Sequence, residues 1–97
     1  MKGYWLIFSS HVKDPAALQE YARRWKPIGE KYGAVLKVLV ASALKEMSFS
    51  SRVLTVEFDS LEKAQACYDD PAYIEAKAFA LRAGSRELVI FEGQIAQ

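Results

Sequence analysis

The chain has 97 residues, 52% hydrophobic and 26% charged, a composition too apolar for a disordered segment and a length too short for a second core. Its 13 Lys and Arg stand against 12 Asp and Glu, a formal charge of +1. That balance excludes a general polyanion binder, because phosphate neutralisation needs a basic surplus on one face.

Tyr4, Leu6 and Phe8 alternate with Trp5 and Ile7, so Gly3 to Ser10 is expected to form a strand with both faces covered. Asp14-Pro15 is a helix start, a capping carboxylate followed by proline at the first helical position. Leu18, Tyr21, Ala22, Trp25, Ile28 and Tyr32 continue it at helical spacing. Pro27 should kink or interrupt this helix, and Gly33 should stop it. Arg23, Arg24 and Lys26 form the densest basic cluster, but Glu20 and Glu30 flank it, as on a solvated helix face. Ala34 to Ala41 is the second strand, with Val35, Lys37 and Leu39 on one side and Leu36, Val38 and Val40 on the other. Ser42 to Ser51 is irregular, and Arg52 to Phe58 is the third strand. Asp59-Ser60-Leu61-Glu62 caps a second helix, which Asp70-Pro71 breaks and restarts and Gly84 closes. Glu87 to Phe91 is the last strand, ending at Gly93.

The order strand, helix, strand, strand, helix, strand folds most economically as a ferredoxin-like βαββαβ domain over residues 1–97. It has a four-stranded antiparallel sheet with the helices on one face. Helices on one face leave the other uncovered, yet every strand is apolar on both sides. A second copy is therefore the expected partner, pairing sheet to sheet as a homodimer over an interface on the order of 1,600 Å².

Several stretches together resemble the DUF1330 family: Lys2-Gly3-Tyr4-Trp5, Asp14-Pro15 with Tyr21, and Tyr32-Gly33. So do Val56-Glu57-Phe58-Asp59-Ser60-Leu61-Glu62, Tyr68-Asp69-Asp70-Pro71-Ala72-Tyr73 and Glu92-Gly93. The resemblance implies a dimeric α/β barrel and no defined reaction. The chain departs from the family's usual pattern at Ala34, where a second glycine is usual, at Cys67, and between Val40 and Met47.

His11, the only histidine, leaves the first strand beside Ser9 and Ser10. It is either a general acid or base at a pocket mouth or a loop histidine bonded to nearby backbone. Glu57 and Lys37 interrupt apolar strands. A carboxylate on a covered sheet face must be a pocket group or half of an ion pair at a dimer seam. A lysine on an edge strand is either a ligand group or a guard against unwanted pairing. Arg82 and Arg86 bracket Gly84, as an anion clamp or as solvated groups near a helix end. The aromatic residues Tyr4, Trp5, Tyr32, Tyr68 and Tyr73 are mostly core by spacing, and Trp5 and Tyr32 are also candidates to line a site for a flat apolar ligand. Cys67 is expected to be a small buried hydrophobe.

One His and one Cys build no zinc site, no carboxylate cluster resembles a calcium loop, and no glycine-rich phosphate loop follows a strand, so no metal or cofactor is expected. The third strand, Arg52-Val53-Leu54-Thr55-Val56-Glu57-Phe58, lacks the glycine and the stacking aromatic pair of an RNA-recognition domain, so no nucleic acid is expected. No apolar run approaches the roughly 18 residues of a membrane span. The opening Met1-Lys2-Gly3 leads into a strand without a signal region, and a single cysteine allows no intrachain disulfide, so the expected compartment is the cytoplasm. The expected function is small-molecule binding. It takes the form either of a cofactor-independent enzyme (isomerase, lyase or monooxygenase type) acting on a small apolar or aromatic carbonyl or acid, or of a non-catalytic metabolite-binding or sensing dimer. His11 or Glu57 would move a proton, and Trp5, Tyr32, Lys37 and Arg86 would contact the ligand.

Overall fold

A computed structural model describes residues 1–93; the last four positions of the expected domain, 94–97, lie outside the described residues. The elements are β1 (Gly3–Ser9), α1 (Pro15–Tyr32), β2 (Val35–Val38), a 3-10 turn at Ala41–Ala43, β3 (Arg52–Phe58), α2 (Leu61–Asp69), α3 (Pro71–Ala83) and β4 (Arg86–Glu92). The four strands form one antiparallel sheet in the order β2-β3-β1-β4, with the helices on one face, as the element string predicts. Among the described residues no helix is long and apolar enough to cross a membrane.

The helix ends follow local chemistry. Asp14 accepts a hydrogen bond from the Ala17 N–H at 3.1 Å, and Pro15 occupies the first turn of α1. Gly33 ends the helix in the left-handed region (φ 64°), which favours glycine because it carries no Cβ. Ser60 caps α2 through the Lys63 N–H at 3.2 Å. Asp70 caps α3 through the Ala72 N–H at 2.8 Å, so the second helical segment is two helices divided at Asp70-Pro71.

Two expectations are corrected. Pro27 does not interrupt α1, which runs unbroken through it. Proline removes one donor and frees one carbonyl, that of Arg23; both residues lie on the exposed side, where water can take the freed carbonyl. The second strand is four residues long rather than eight. After Leu39 donates to the Val53 carbonyl at 2.9 Å, the Ala43 N–H bonds back to Val40 and turns the chain off the sheet edge.

Registry sorts the side chains by face. Trp5, Ile7 and Ser9 pair with Val56, Leu54 and Arg52 on β3 and with Ile90, Leu88 and Arg86 on β4, and Leu36 and Val38 of β2 lie on the same side. This face meets the helices. Trp5, at 0% exposure, stands at the centre of the core with Trp25, Phe58, Tyr68 and Tyr73 around it at ring-centroid distances of 5.0 to 5.8 Å. Its indole Nε1 donates to the Ala64 carbonyl at 3.0 Å, so α2 is tied to β1 by a buried bond. The opposite face carries Tyr4, Leu6, Phe8, Val35, Lys37, Thr55, Glu57, Glu87, Val89 and Phe91. Tyr4 and Phe91 stack at 5.4 Å, while Val35 and Val89 are 61% and 51% exposed.

Gly3 marks where β1 passes under the start of α2: a Cβ there would lie 2.5 Å from the Ser60 carbonyl oxygen, closer than real contacts allow. Gly3→Ala should therefore force backbone movement and cost about 1–3 kcal/mol. Chemical denaturation checks this: a lower midpoint at unchanged slope is expected, and an unshifted midpoint would show that β1 and α2 separate freely.

Candidate functional site

Side chains shrink along β1 from Trp5 through Ile7 to Ser9, while α3 presents Ala76, Ala80 and Ala83. Alanines let α1 lie close against α3, whereas the large rings of Trp5 and Trp25 hold α1 away from the sheet. Beyond those rings, toward the Ser9 end, a cavity of about 350 Å³ opens between α1 and the sheet. Leu36, Leu54, Val56 and Ile7 form its floor over Trp5, and Leu18, Tyr21, Ala22 and Trp25 its roof. At one end Ser9, Ser10, Arg52 and Arg86 supply most of its polar groups. The turn there is closed by Ser10, whose hydroxyl accepts from the Ser85 N–H at 3.0 Å, and by the Lys13 N–H donating to the Ala83 carbonyl at 2.7 Å.

Arg86 is held in place. Its Nη2 donates to the Tyr73 hydroxyl at 3.0 Å, that hydroxyl lies 3.1 Å from the hydroxyl of Tyr21, and the guanidinium sits 5.4 Å from the Tyr21 ring centroid. Burial pushes the Tyr73 phenol well above its usual range, so the partner of Arg86 is neutral. Among the described residues neither Arg86 nor Arg52 has a carboxylate within 4.0 Å.

Of the residues singled out by sequence, Trp5 and Arg86 meet in this cavity. The others lie elsewhere. His11 is exposed on the turn after β1, between the wall residues Ser10 and Val12 but outside the wall itself. Glu57 and Lys37 are on the opposite sheet face, where Glu57 lies 3.9 Å from the Lys2 ammonium. Tyr32 donates to Asp70 at 2.6 Å, joining the end of α1 to the start of α3. Arg82 is exposed, its guanidinium 4.8 Å over the Phe79 ring. Cys67 is buried, and desolvation raises its thiol to about 12, which suits a packing residue and not a nucleophile. Arg23 and Arg24 both pair with Glu20, and Arg24 also lies 3.7 Å from Glu75.

Sequence reasoning missed Arg52, Ser9, Tyr21 and Trp25 as site residues. The signal for Arg52 was present in its period-two alignment with Leu54 and Val56. Its meeting with Arg86 required the strand order, because the two are 34 positions apart and join only through Ser9.

The family model described as "Domain of unknown function (DUF1330)" matches residues 2–94. The chain belongs to this family. No curated protein matches the sequence. Among solved structures, a dimeric ferredoxin-like protein of unknown function from Jannaschia sp. CCS1 is similar at a TM-score of 0.71 and 10% identity, over 96% of this chain and 100% of that one. A protein of the ethyl tert-butyl ether D (EthD) family from Bacillus halodurans C-125 is similar at 0.67 and 18% identity, over 97% and 100%. SnoaB, a cofactor-independent oxygenase from Streptomyces nogalater, is similar at 0.66 and 12% identity, over 99% and 97%. At these identities the likeness shows a shared ferredoxin-like fold. The DUF1330 chain described here shares that frame.

Asp70 provides a pH test of how the α1–α3 junction is held. Hydrogen bonds from Tyr32, Lys31 and the Ala72 N–H lower its carboxyl from 3.8 to about 2. A depressed carboxylate contributes stability that is present above its unfolded value and lost as pH falls through its folded value. Asp70→Asn should therefore melt below the wild type at pH 5, and the gap should close between about pH 4 and pH 2. Thermal melts across that range check it; a gap that does not change with pH would assign the effect to packing.

Proposed function

We propose that this DUF1330 domain binds a small, flat, largely apolar or aromatic molecule in the cavity between α1 and the sheet. The observation that carries this is an apolar chamber of about 350 Å³ with its polar side chains gathered mostly at one end, the arrangement of small-molecule sites, which run from roughly 300 to 1,000 Å³. Tyr21 and Trp25 supply aromatic walls, and Trp5 backs the floor. Among the described residues the wall holds no carboxylate, imidazole, amine or thiol, which favours binding over acid–base turnover.

Catalysis without a cofactor is the second reading. It draws on His11, which stands between two residues of the cavity wall, and on the oxygenase activity named for SnoaB. In this reading His11 moves the proton at the cavity, while Glu57, on the opposite sheet face, would act only in a site at the pairing surface. Turnover that survives both His11→Ala and Glu57→Gln would remove it. Two copies are proposed to pair through the face carrying Tyr4, Leu6, Phe8, Val89 and Phe91, in keeping with the dimeric description of the Jannaschia protein. The cytoplasm is the proposed compartment, on the single buried thiol.

Trp5 and Trp25 are the chain's two tryptophans, so intrinsic fluorescence reports on the cavity directly. Naphthalene-2-carboxamide, a neutral flat probe, should quench it saturably. Ala22→Phe, which adds bulk at an exposed wall position, should weaken that binding about 10-fold or more. Quenching that is absent, or that Ala22→Phe leaves untouched, rules out this cavity as the site. Sedimentation velocity at micromolar concentration tests the dimer: Leu6→Lys should turn a two-copy species into a one-copy species, and a wild-type protein already sedimenting as one copy would refute the pairing.

A further inference from the structure

The polar end of the cavity bears on the end group of the ligand. Ser9 lies opposite Arg52 on one neighbouring strand and opposite Arg86 on the other, so the three side chains form one row across the sheet on the face that meets the helices. Neighbouring strands are about 4.8 Å apart, which puts the two arginine backbones about 10 Å apart. That is a span over which two long side chains converge on a single group above Ser9. All three residues line the cavity.

Charge is unbalanced there. The row carries two guanidinium groups, and among the described residues no carboxylate lies within 4.0 Å of either. Both arginines are partly buried, and a partly buried cation without a counter-charge is costly unless something arrives to neutralise it. Arg86 does not leave for solvent, because the buried hydroxyl of Tyr73 and the ring of Tyr21 hold it. A donor fixed in advance loses little freedom on binding. Arginine's planar fork matches the two oxygens of a carboxylate.

We infer that the ligand is an organic acid: a flat apolar or aromatic body in the α1-facing chamber, its carboxylate held above Ser9 between Arg52 and Arg86. Tyr73 is a positioning residue that aims Arg86. This rests on the cavity being the binding site, and it adds the charge and the orientation of what binds there.

The test compares naphthalene-2-carboxylate, naphthalene-2-carboxamide and 2-naphthyl phosphate at pH 7, read by tryptophan quenching. The carboxylate should bind roughly 10- to 100-fold more tightly than the amide. Arg52→Gln and Arg86→Gln should each erase most of that preference, weakening the carboxylate at least 10-fold more than the amide. Tyr73→Phe should weaken the carboxylate alone, by less than Arg86→Gln does. Arg52→Gln keeps the test decisive if Arg86→Gln fails to fold, since Arg52 makes no hydrogen bond to another side chain among the described residues. Equal affinity for acid and amide, both blocked by Ala22→Phe, would overturn the acid assignment and leave the cavity reading standing. Tighter binding of the phosphate than of the carboxylate would overturn the carboxylate assignment in favour of a phosphate ester. Absence of quenching by all three probes would overturn both the cavity reading and this one.

Discussion

The indole of Trp5 sets the distance between the sheet and its helices, and most of the structure follows from that spacing. It is fully buried, ringed by four aromatic side chains, and bonded through Nε1 to the Ala64 carbonyl. A ring system of this size cannot collapse into the space a leucine would take, so the helix carrying Trp25 stands off the sheet beside it. Where β1 continues with Ile7 and Ser9, nothing as large fills the gap. The cavity is therefore a consequence of packing, a taper in side-chain size beneath a helix held up at one end.

The same constraint explains why the site's chemistry is concentrated at one end. The aromatic cluster closes the chamber on the Trp5 side, so polar groups have room only beyond Ile7. There the sheet places Ser9 between two arginines. The Tyr73 ring belongs to the aromatic cluster while its hydroxyl belongs to the Arg86 network, which couples the rigidity of the core to the position of a site cation. A buried polar network of this kind is strongly ordering when all of its members are satisfied, and no buried side-chain polar atom among the described residues lacks a partner.

The two faces of the sheet differ in what covers them. The helix face holds the core and the chamber. The other face carries a stacked Tyr4–Phe91 pair and exposed valines beside Lys37, Glu57 and Glu87, the mixture of apolar centre and charged groups that suits a protein contact. Glu57 and Lys37 both belong to that surface, where Glu57 lies near Lys2. They are remote from the chamber because alternate residues of a strand point to opposite sides.

By itself the sequence determined the elements, their order and the face each strand residue takes, because capping residues, Asp-Pro pairs and period-two alternation are local signals acting over a few bonds. Trp5 and Arg86, singled out in the sequence as a large aromatic on a covered strand and a cation near a glycine, do line the cavity. Tyr32 packs against the core as its spacing implies, but its bond to Asp70 was not legible, since only the packing of α1 against α3 brings the carboxylate within 2.6 Å of its hydroxyl. The continuity of α1 through Pro27 and the early end of β2 likewise depended on which backbone groups faced solvent and on the turn at Ala41–Ala43. Only the tertiary structure decided that Arg52 and Arg86 share a row and that a chamber lies beside them. Strand order is a long-range choice, and an empty volume is the outcome of how every neighbouring side chain packs.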